Sequence, residues 1–582
     1  MTALHNRAKA IISSMALLAV SCAPAMPQQA PAPATAPTAP AAAPAPAAGA
    51  QPTQAPRAAT APPATPAPTP RPASAQPAPA QPKYGGTLNL IRSTDPPNLD
   101  IHFTSTAFAR QGAGLVYSKL LINDFGTGVD PDKLVVVPDL AEKWEQPNGT
   151  TYIFHLRKDA KWQSLPPANG RPVTAQDVKY SFERMKSPDS VFKENFDLVK
   201  NIDVVDAQTV KFTLAKPFAP FINLVAFQGS AVVAREVVDA DGDLKKTAIG
   251  SGPWILSEFN RGVRQVYSKN PTYFNKDKIY LDKIIYYVIP DTATQLAAFR
   301  AQRADLWAFP KDQIDILKSA IPGLQTEALI ARNVNSLGFA VDKPPFNDIR
   351  VRRAFSLALD RQAIIQFALA GDGIVQGPIP RGYLTAFGLK TDDASRLGTW
   401  WKYDPAQAKK LLEEAGYKDG LKLKGLGPNN LPNLRDNLIG SIDQLKAVGI
   451  TLQPEVVQFA IFNERKFKRD FDVLSASFSS TFDVDQLVYV AYHSTGSQNV
   501  YGIKDPKLDD LLERQRTAIL PEDRAKAIGE LNQYLMDQVY LPTTYDQVNW
   551  WAWQPYVRGV RPQYYWTAAS GEQRWEGAWL AK

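Results

Sequence analysis

The stretch Ala141–Met185 constrains the fold of this chain most, because signals for a turn, a strand and a helix follow one another there at close spacing. The Asn-Gly pair at 148–149 favours a hairpin, since both residues tolerate the positive φ of a tight two-residue turn. After it, Tyr152, Phe154 and Leu156 alternate with residues 153, 155 and 157. This period of two predicts a strand whose first set of side chains lines a buried face.

A helix is predicted after this strand, beginning at Thr174. Asp177 stands three residues later and can complete a capping box with that threonine. Val178, Phe182 and Met185 then recur at i, i+4 and i+7, which places them on one face of a helix. Any α/β protein could show a hairpin followed by an amphipathic helix, so these elements alone do not identify a family.

The same region carries a longer ordered pattern of residues. It consists of Pro138, Leu140, Ala141, Glu142 and Trp144, then Leu156-Arg157-Lys158, then a Thr-Ala-x-Asp-Val helix start with Ser181 and Arg184. This order resembles the signature region of the family 5 bacterial extracellular solute-binding proteins, the oligopeptide, dipeptide and nickel type that feed ABC transporters. The resemblance implies an α/β fold, a two-lobed clamp of the periplasmic-binding-protein type II, with an extra small domain as in peptide binders. The signature region would build that small domain and touch the ligand little.

Other segments fit the same family, at 85–90 (GGTLNL), 249–254 (IGSGPW) and 270–274 (NPTYF). Residues 343–361 resemble the segment that begins the second lobe, and Arg352 and Arg353 within it are expected to be a solvated helix start. The alternation over 202–214 predicts a single strand. Residues 404–417 combine an Asp cap, a Pro at the first helical position and a terminal Gly, which predicts a complete helix.

The first 22 residues predict a lipoprotein signal peptide. A basic start precedes an apolar run, residues 11–20, that is too short to span a bilayer. The run closes on Leu-Ala-Val-Ser-Cys at 18–22, which resembles a bacterial lipobox, and Cys22 is the one cysteine of the chain. Cys22 is therefore the predicted lipidation site, and its lipid would hold an extracytoplasmic protein at the cell membrane, in the periplasm or on the outer surface of a bacterium.

Residues 23–83 are almost entirely Ala, Pro, Thr and Gln. They offer too little large apolar surface to offset the entropy of ordering, so a disordered, extended tether is predicted. The remaining roughly five hundred residues exceed one core. With the family as guide they divide into lobe I (84–126, 227–328 and 543–582), an accessory domain (127–226) and lobe II (329–542). The net charge of +8 is spread among acids without a basic run, so no nucleic-acid partner is expected. We also expect the protein to be a monomer.

In relatives the loop after the first strand borders the ligand, which makes Thr104, Thr106 and Phe108 candidate contacts. A surface turn would use the same threonine hydroxyls equally well. At the return from lobe II to lobe I, Tyr545 and Trp550 are the best aromatic candidates, because aromatic faces can stack on sugars or on cationic ligands. Most other large aromatic residues are expected in cores.

Peptide-binding relatives present an aspartate to the peptide amino terminus from the second lobe. By the resemblance, Phe478 stands for a neighbouring tryptophan and Thr481 for that aspartate. A neutral hydroxyl cannot supply the charge-assisted hydrogen bond that anchors an ammonium group, although Asp483 could do so with a shifted loop. Peptide is therefore a weakened candidate ligand, and Ser480 and Phe339 are counted with these residues as candidate contacts.

The resemblance implies the solute-binding component of an ABC importer, which captures a peptide, oligosaccharide or related polar solute and delivers it to a permease and its ATPase. Neither a Gly-x-Ser-x-Gly nor a His-Glu-x-x-His motif occurs, and histidines 102, 155 and 493 are widely separated. No enzyme activity, catalytic residue, metal or cofactor is therefore expected. Two alternatives stay open: a ligand-sensing surface lipoprotein and, with less support, a secreted hydrolase.

Overall fold

The computed structural model describes residues 81–582, except 105, 125–126, 131–132, 134, 390–396, 480–482 and 564–573. The predicted signal, Cys22, most of the predicted tether, Ser480 and Thr481 therefore lie outside the described residues.

The strands, numbered in chain order, are β1 (Thr87–Arg92), β2 (Leu121–Asn123), β3 (Val136–Pro138), β4 (Ala141–Asn148), β5 (Thr151–Leu156), β6 (Val199–Asp206), β7 (Thr209–Leu214), β8 (Trp254–Asn260), β9 (Arg264–Lys269), β10 (Lys283–Val288), β11 (Leu306–Phe309), β12 (Gln325–Ile330), β13 (Asn333–Phe339), β14 (Gly373–Val375), β15 (Leu421–Pro428), β16 (Ile450–Val457), β17 (Val473–Ser479), β18 (Tyr545–Trp553), β19 (Val557–Arg558) and β20 (Trp579–Leu580).

The α-helices are α1 (Ala107–Val116), α2 (Ala175–Met185), α3 (Phe221–Ala226), α4 (Arg235–Asp241), α5 (Thr292–Arg300), α6 (Lys311–Ala320), α7 (Ile349–Leu357), α8 (Arg361–Leu369), α9 (Arg381–Ala386), α10 (Pro405–Glu414), α11 (Pro432–Gly440), α12 (Ile442–Ala447), α13 (Phe459–Lys468), α14 (Val484–Tyr492), α15 (Pro506–Thr517) and α16 (Pro521–Gln538). Within the described part of the chain, no helix is both long and apolar enough to cross a membrane.

An eight-stranded sheet forms the base of lobe I, in the order β12-β18-β11-β1-β10-β9-β8 with β14 paired to β18. β1 runs parallel to β10 and β11. Because parallel neighbours carry their C-terminal ends to one edge of a sheet, the chain leaves β1 and β11 at the same edge. Binding crevices in α/β sheets lie outside such carboxyl ends.

Lobe II is built on a separate four-stranded sheet, in the order β13-β17-β15-β16. Its buried residues form their own hydrophobic core, which includes Leu337, Phe355 and Leu474. The chain enters lobe II between β12 and β13, rejoins the lobe I sheet briefly at β14, and returns at the start of β18. Two sheets with separate cores are therefore joined by short crossings. The predicted α/β two-lobed clamp is confirmed.

A third sheet, the accessory sheet, is antiparallel in the order β4-β5-β7-β6 and packs against α2. As predicted, Tyr152, Phe154 and Leu156 are buried on one face of β5. They belong to the same continuous core as Leu88 of β1 and Trp254 of β8. Lobe I and the accessory sheet are therefore packed as one body.

The hairpin at 148–149 is confirmed, but its register differs by one residue. Asn148 pairs with Thr151, so the two turn residues are Gly149 and Thr150. The amide oxygen of Asn148 accepts hydrogen bonds from the backbone N–H of Thr150 at 2.9 Å and from its hydroxyl at 3.0 Å. Asn148 thus closes the turn with its side chain instead of adopting a positive φ.

The prediction of one strand over 202–214 is wrong, because β6 and β7 form a second hairpin there. Asp206 pairs with Thr209, and its carboxylate accepts the N–H of Gln208 at 2.8 Å. An Asp side chain can stabilise a turn without glycine, proline or asparagine, which left the alternating pattern uninterrupted.

Arg352 is also not a solvated residue. It is buried and donates to the carbonyl oxygens of Phe346 at 2.8 Å and Gln538 at 3.1 Å. Arg353 donates to the carbonyl oxygen of Asp537 at 3.1 Å. Because the last carbonyl groups of a helix lack partners within it, these two arginines of α7 cap the C-terminus of α16.

Candidate functional site

The segment after β1 forms a rim at the C-terminal edge of the lobe I sheet. Thr106 is exposed and begins α1, where its hydroxyl accepts the N–H of Ala109 at 3.4 Å. Phe108 is half-buried in the first turn of that helix, whereas Thr104 is buried. Of the three predicted rim contacts, Thr106 and Phe108 reach solvent.

The rim is braced by the signature helix α2. Arg184 donates to the two carboxylate oxygens of Asp100 at 2.9 and 2.5 Å, and Asp100 is completely buried. The same guanidinium lies 4.4 Å from the ring centre of Phe103. Burial, and next the charge of Arg184, lower the pKa of His102 to about 4, so this imidazole is neutral at physiological pH. The signature region thus supports the rim without lining it.

At the edge of lobe II, β17 leads into the segment predicted to anchor a ligand. Phe478 is 8% exposed, with its ring centre 6.1 Å from that of Tyr501 and 5.9 Å from the Lys466 ammonium. Its ring is therefore largely covered by lobe II itself.

Asp483 begins α14 and accepts the N–H of Asp485 at 2.8 Å. It also forms a bidentate ion pair with Arg524 at 2.5 and 3.0 Å, and it accepts the side-chain amide of Asn223 at 2.7 Å. The side chains of Asp483 and Arg524 are 1% and 7% exposed. The predicted binding of a ligand ammonium by Asp483 stays a prediction, but its charge is already matched by a buried guanidinium.

The predicted contact Phe339 is a core residue in the structure. Its ring is fully buried and stacks on Phe346 with 4.1 Å between ring centres, and it meets Phe355 edge-on. The ring therefore packs inside lobe II and does not line an opening between the lobes.

The two aromatic candidates on β18 lie where the chain returns to lobe I. Tyr545 is buried and its hydroxyl donates to the carbonyl oxygen of Asn433 at 2.7 Å. Trp550 is half-buried and its indole N–H donates to Asp372 at 2.8 Å. Trp550 also lines a cavity of about 340 Å³, whose other walls include Phe309, Pro310, Leu369 and Asp372. This cavity has walls from both lobes, as expected of a site at a hinge.

A buried carboxylate, Asp546, stands beside these aromatic residues. It accepts the backbone N–H of Asn333, at the start of β13, at 3.1 Å and the side-chain amide of Gln376 at 3.2 Å. Burial raises the pKa of Asp546 to about 8, although nearby backbone N–H groups and the charge of Arg332 oppose that rise. The hinge therefore contains an acid that titrates near neutral pH.

Sequence reasoning missed a second contact between the two bodies. It joins lobe II to the accessory side, which we define as residues 216–223 after the accessory sheet. Lys216 pairs with Glu513 at 2.7 Å, and the Arg516 guanidinium lies 5.2 Å from the ring centre of Phe218. A cavity of about 330 Å³ adjoins this contact and is lined by residues of both sides, Asp197 and Arg516 among them. Nothing in the local sequence signals it, since the paired residues lie nearly three hundred positions apart.

Among the described residues, no cluster of three or more His, Cys, Asp or Glu side chains is arranged to hold a metal ion. The candidate site is thus an assembly of a braced rim, a hinge with an aromatic wall, and a lobe II edge whose acid is paired.

Comparison with known proteins gives consistent results. Residues 135–499 match the sequence profile of the bacterial extracellular solute-binding proteins, family 5, middle region. The dipeptide-binding protein of Escherichia coli (strain K12) is 29% identical over 353 residues, 55% of this chain and 61% of that protein, so the match spans less than two thirds of the relative. The periplasmic oligopeptide-binding protein OppA of the same organism is 27% identical over 450 residues, 70% of this chain and 80% of OppA.

The fold also matches a solved structure. HbpA2 from Haemophilus parasuis superposes with a TM-score of 0.73 over 85% of this chain and 100% of its own, at 24% identity. At that identity the likeness concerns the fold alone.

Proposed function

This chain belongs to the bacterial extracellular solute-binding proteins of family 5, and on that premise we propose that it captures a small polar solute between lobes I and II and delivers it to the permease and ATPase of an ABC importer. The observation that carries this proposal is the pair of separate cores joined at a hinge. Two separately packed bodies that are joined by short crossings can close on a ligand, and a ligand held by both stabilises the closed form. No catalytic step is proposed.

For the ligand, we propose a sugar or another neutral solute ahead of a peptide. A peptide amino terminus binds best to a free carboxylate. By the resemblance Thr481 stands where relatives present that aspartate, and Asp483, which could take the role with a shifted loop, is already paired with Arg524. The proposed ligand contacts that reach solvent are Thr106 and Phe108 on lobe I and Trp550 at the hinge. Ser480 and Thr481, which lie outside the described residues, stay proposed contacts on the strength of the sequence.

Native mass spectrometry of the purified protein tests this proposal by weighing what copurifies with it. Isothermal titration of trialanine and of maltose then ranks the two classes, with weaker binding expected for the peptide. Tight trialanine binding that Asp483→Asn weakens selectively, by a larger factor than maltose binding, would reverse the ranking and make Asp483 the anchor. Small-angle scattering should show a smaller radius of gyration with a bound compound, and an unchanged radius across a broad library contradicts the clamp.

Members of this family act outside the cytoplasm, and we propose that this chain is a monomer held at the membrane by lipid on Cys22. The run of apolar and small residues ending at that cysteine supports lipidation. Cell fractionation after expression in a bacterium should place the protein with membranes, and Cys22→Ser should release it. A Cys22→Ser protein that stays with membranes contradicts the anchor.

A further inference from the structure

The contact between the accessory side and lobe II consists of an ion pair, a backbone hydrogen bond and a side-chain hydrogen bond. The Lys216 ammonium lies 2.7 Å from Glu513, and the N–H of Ala219 donates to the carbonyl oxygen of Arg516 at 2.8 Å. Asn223 donates to Asp483 at 2.7 Å.

Each half of this contact is fixed to its own body. On one side, Phe218, Phe221 and Leu224 flank the contacting residues and belong to the core shared by lobe I and the accessory sheet. On the other side, Val484 and Leu512 belong to the core of lobe II. Because the two bodies are joined by the hinge crossings, rotating them apart must break these contacts before it disturbs either core.

The contacting residues of lobe II are also held in place by neighbours within lobe II itself. The Arg516 guanidinium lies 3.5 Å from the ring centre of Tyr489 and 3.1 Å from Asp485. The Tyr489 hydroxyl donates to Glu513 at 3.0 Å, which leaves the other carboxylate oxygen for Lys216. Preorganised groups lose little side-chain entropy when a partner arrives, so this surface is suited to repeated closing and opening.

We propose that these residues form a latch, defined as Lys216, Phe218, Ala219 and Asn223 on the accessory side with Asp483, Glu513 and Arg516 on lobe II. The inference rests on the proposed function: the latch stabilises the closed clamp and needs no contact with the solute to do so. The apparent dissociation constant equals the intrinsic one divided by the closed fraction. Weakening the latch therefore raises the dissociation constant of every ligand by the same factor, and Lys216 and Asn223 act as positioning residues.

The contacts made by the Asn223 and Lys216 side chains differ in how strongly their loss should change the equilibrium between the open and closed forms. Asn223 donates to a buried charged group, and loss of such a bond changes an equilibrium by about tenfold or more. Asp483 keeps Arg524 as a partner in Asn223→Ala, so the lower value, about tenfold, is expected. Lys216 and Glu513 are 41% and 33% exposed, and an ion pair of that exposure changes the equilibrium by about fivefold at most.

Distances between two spin labels, measured by double electron–electron resonance on the ligand-free protein, test the latch directly. Spin labels at exposed Lys200→Cys, on the accessory sheet, and Lys504→Cys, on lobe II, in a Cys22→Ser background report the separation of the two bodies. Asn223→Ala and Lys216→Ala should shift the distances toward longer values, with the larger shift for Asn223→Ala. The matched control is Lys211→Ala, which removes an ion pair of similar exposure to Asp203 inside the accessory sheet; its distances should equal those of the parent.

Titration with trialanine and with maltose provides the second readout. For each probe that binds, Asn223→Ala should raise the dissociation constant by the factor by which it lowers the closed fraction, up to about tenfold, leaving the ratio between the two probes unchanged. A change in that ratio, or distances in Asn223→Ala that match Lys211→Ala, overturns the latch. If the variants lengthen the distances but no solute shortens them, the latch stands and the proposed function is overturned. If a solute shortens the distances but the variants leave them unchanged, the proposed function stands and the latch is overturned.

Discussion

The buried acid at the hinge gives the sharpest prediction. Asp546 is completely buried on β18, and its carboxyl contacts Asn333 of β13 and Gln376. Asp546→Asn replaces it with a neutral side chain of nearly the same shape. The question for this variant is how stability depends on pH.

The raised pKa fixes the sign of the effect. The pKa of Asp546 is about 8 in the native protein and 3.8 in the absence of its surroundings, so between these values the folded chain holds a proton that the unfolded chain has lost. This stabilisation is fully present below pH 3.8 and is lost as the pH rises through 8. At roughly 1.4 kcal/mol per pH unit, about 4 kcal/mol disappears between pH 5 and pH 8.

Urea unfolding followed by circular dichroism at pH 5 and pH 8 measures the effect, with the difference between wild type and variant isolating this one group. Asp546→Asn should lack the loss of about 4 kcal/mol that wild type shows. Asp372→Asn, which removes a half-buried carboxylate near the same hinge, should keep the wild-type dependence because Asp546 is intact. Equal pH dependence in wild type and Asp546→Asn would refute the reasoning, since it would mean that burial does not hold the proton on Asp546.

Three further predictions concern stability and are measured by urea unfolding at pH 7. Arg524→Met should destabilise lobe II by about 3–5 kcal/mol because it leaves Asp483 buried without its cation. Adding Asp483→Asn should recover much of that loss, and a double variant no more stable than Arg524→Met would contradict a charge effect. Phe182→Ala removes a fully buried side chain of α2 from the core shared by lobe I and the accessory sheet, and should cost about 3–5 kcal/mol. A loss below about 1 kcal/mol would show that neighbouring side chains fill the space. Thr174→Ala should cost about 1 kcal/mol by removing the hydroxyl that donates to the Asp177 carboxylate at 3.1 Å at the start of the helix. Thr174→Ser keeps that hydroxyl and should cost less; equal losses would exclude this bond as the cause.

Features that depend on neighbouring residues could be predicted from the sequence. The buried face of β5, the start of α2 at Thr174 and the Asp404 cap of α10, whose carboxylate accepts the N–H of Gln407 at 2.9 Å, all follow from patterns within a few positions. The ordered signature pattern also identified the family and hence the clamp. Where local chemistry had a second solution, as with the Asp206 side chain in the turn of the second hairpin, the same approach failed.

The candidate site was less predictable, because its decisive partners come from distant parts of the chain. Asp483 appears in sequence as a carboxylate near a ligand loop, yet Arg524 and Asn223, 41 and 260 positions away, take its hydrogen bonds. Phe339 appears as an aromatic contact but stacks in a core, and Arg352 appears as a surface charge but caps α16.

The sequence by itself determined the hairpin and helix of the signature region, since turn chemistry and periodicity act over short stretches. The order of its motifs identified the family and, through it, the two-lobed plan. Only the tertiary structure decided which acid is paired, as Asp483 is, and which holds a proton, as Asp546 does. Those properties depend on desolvation and on the charges brought alongside, and both arise only when distant segments pack together.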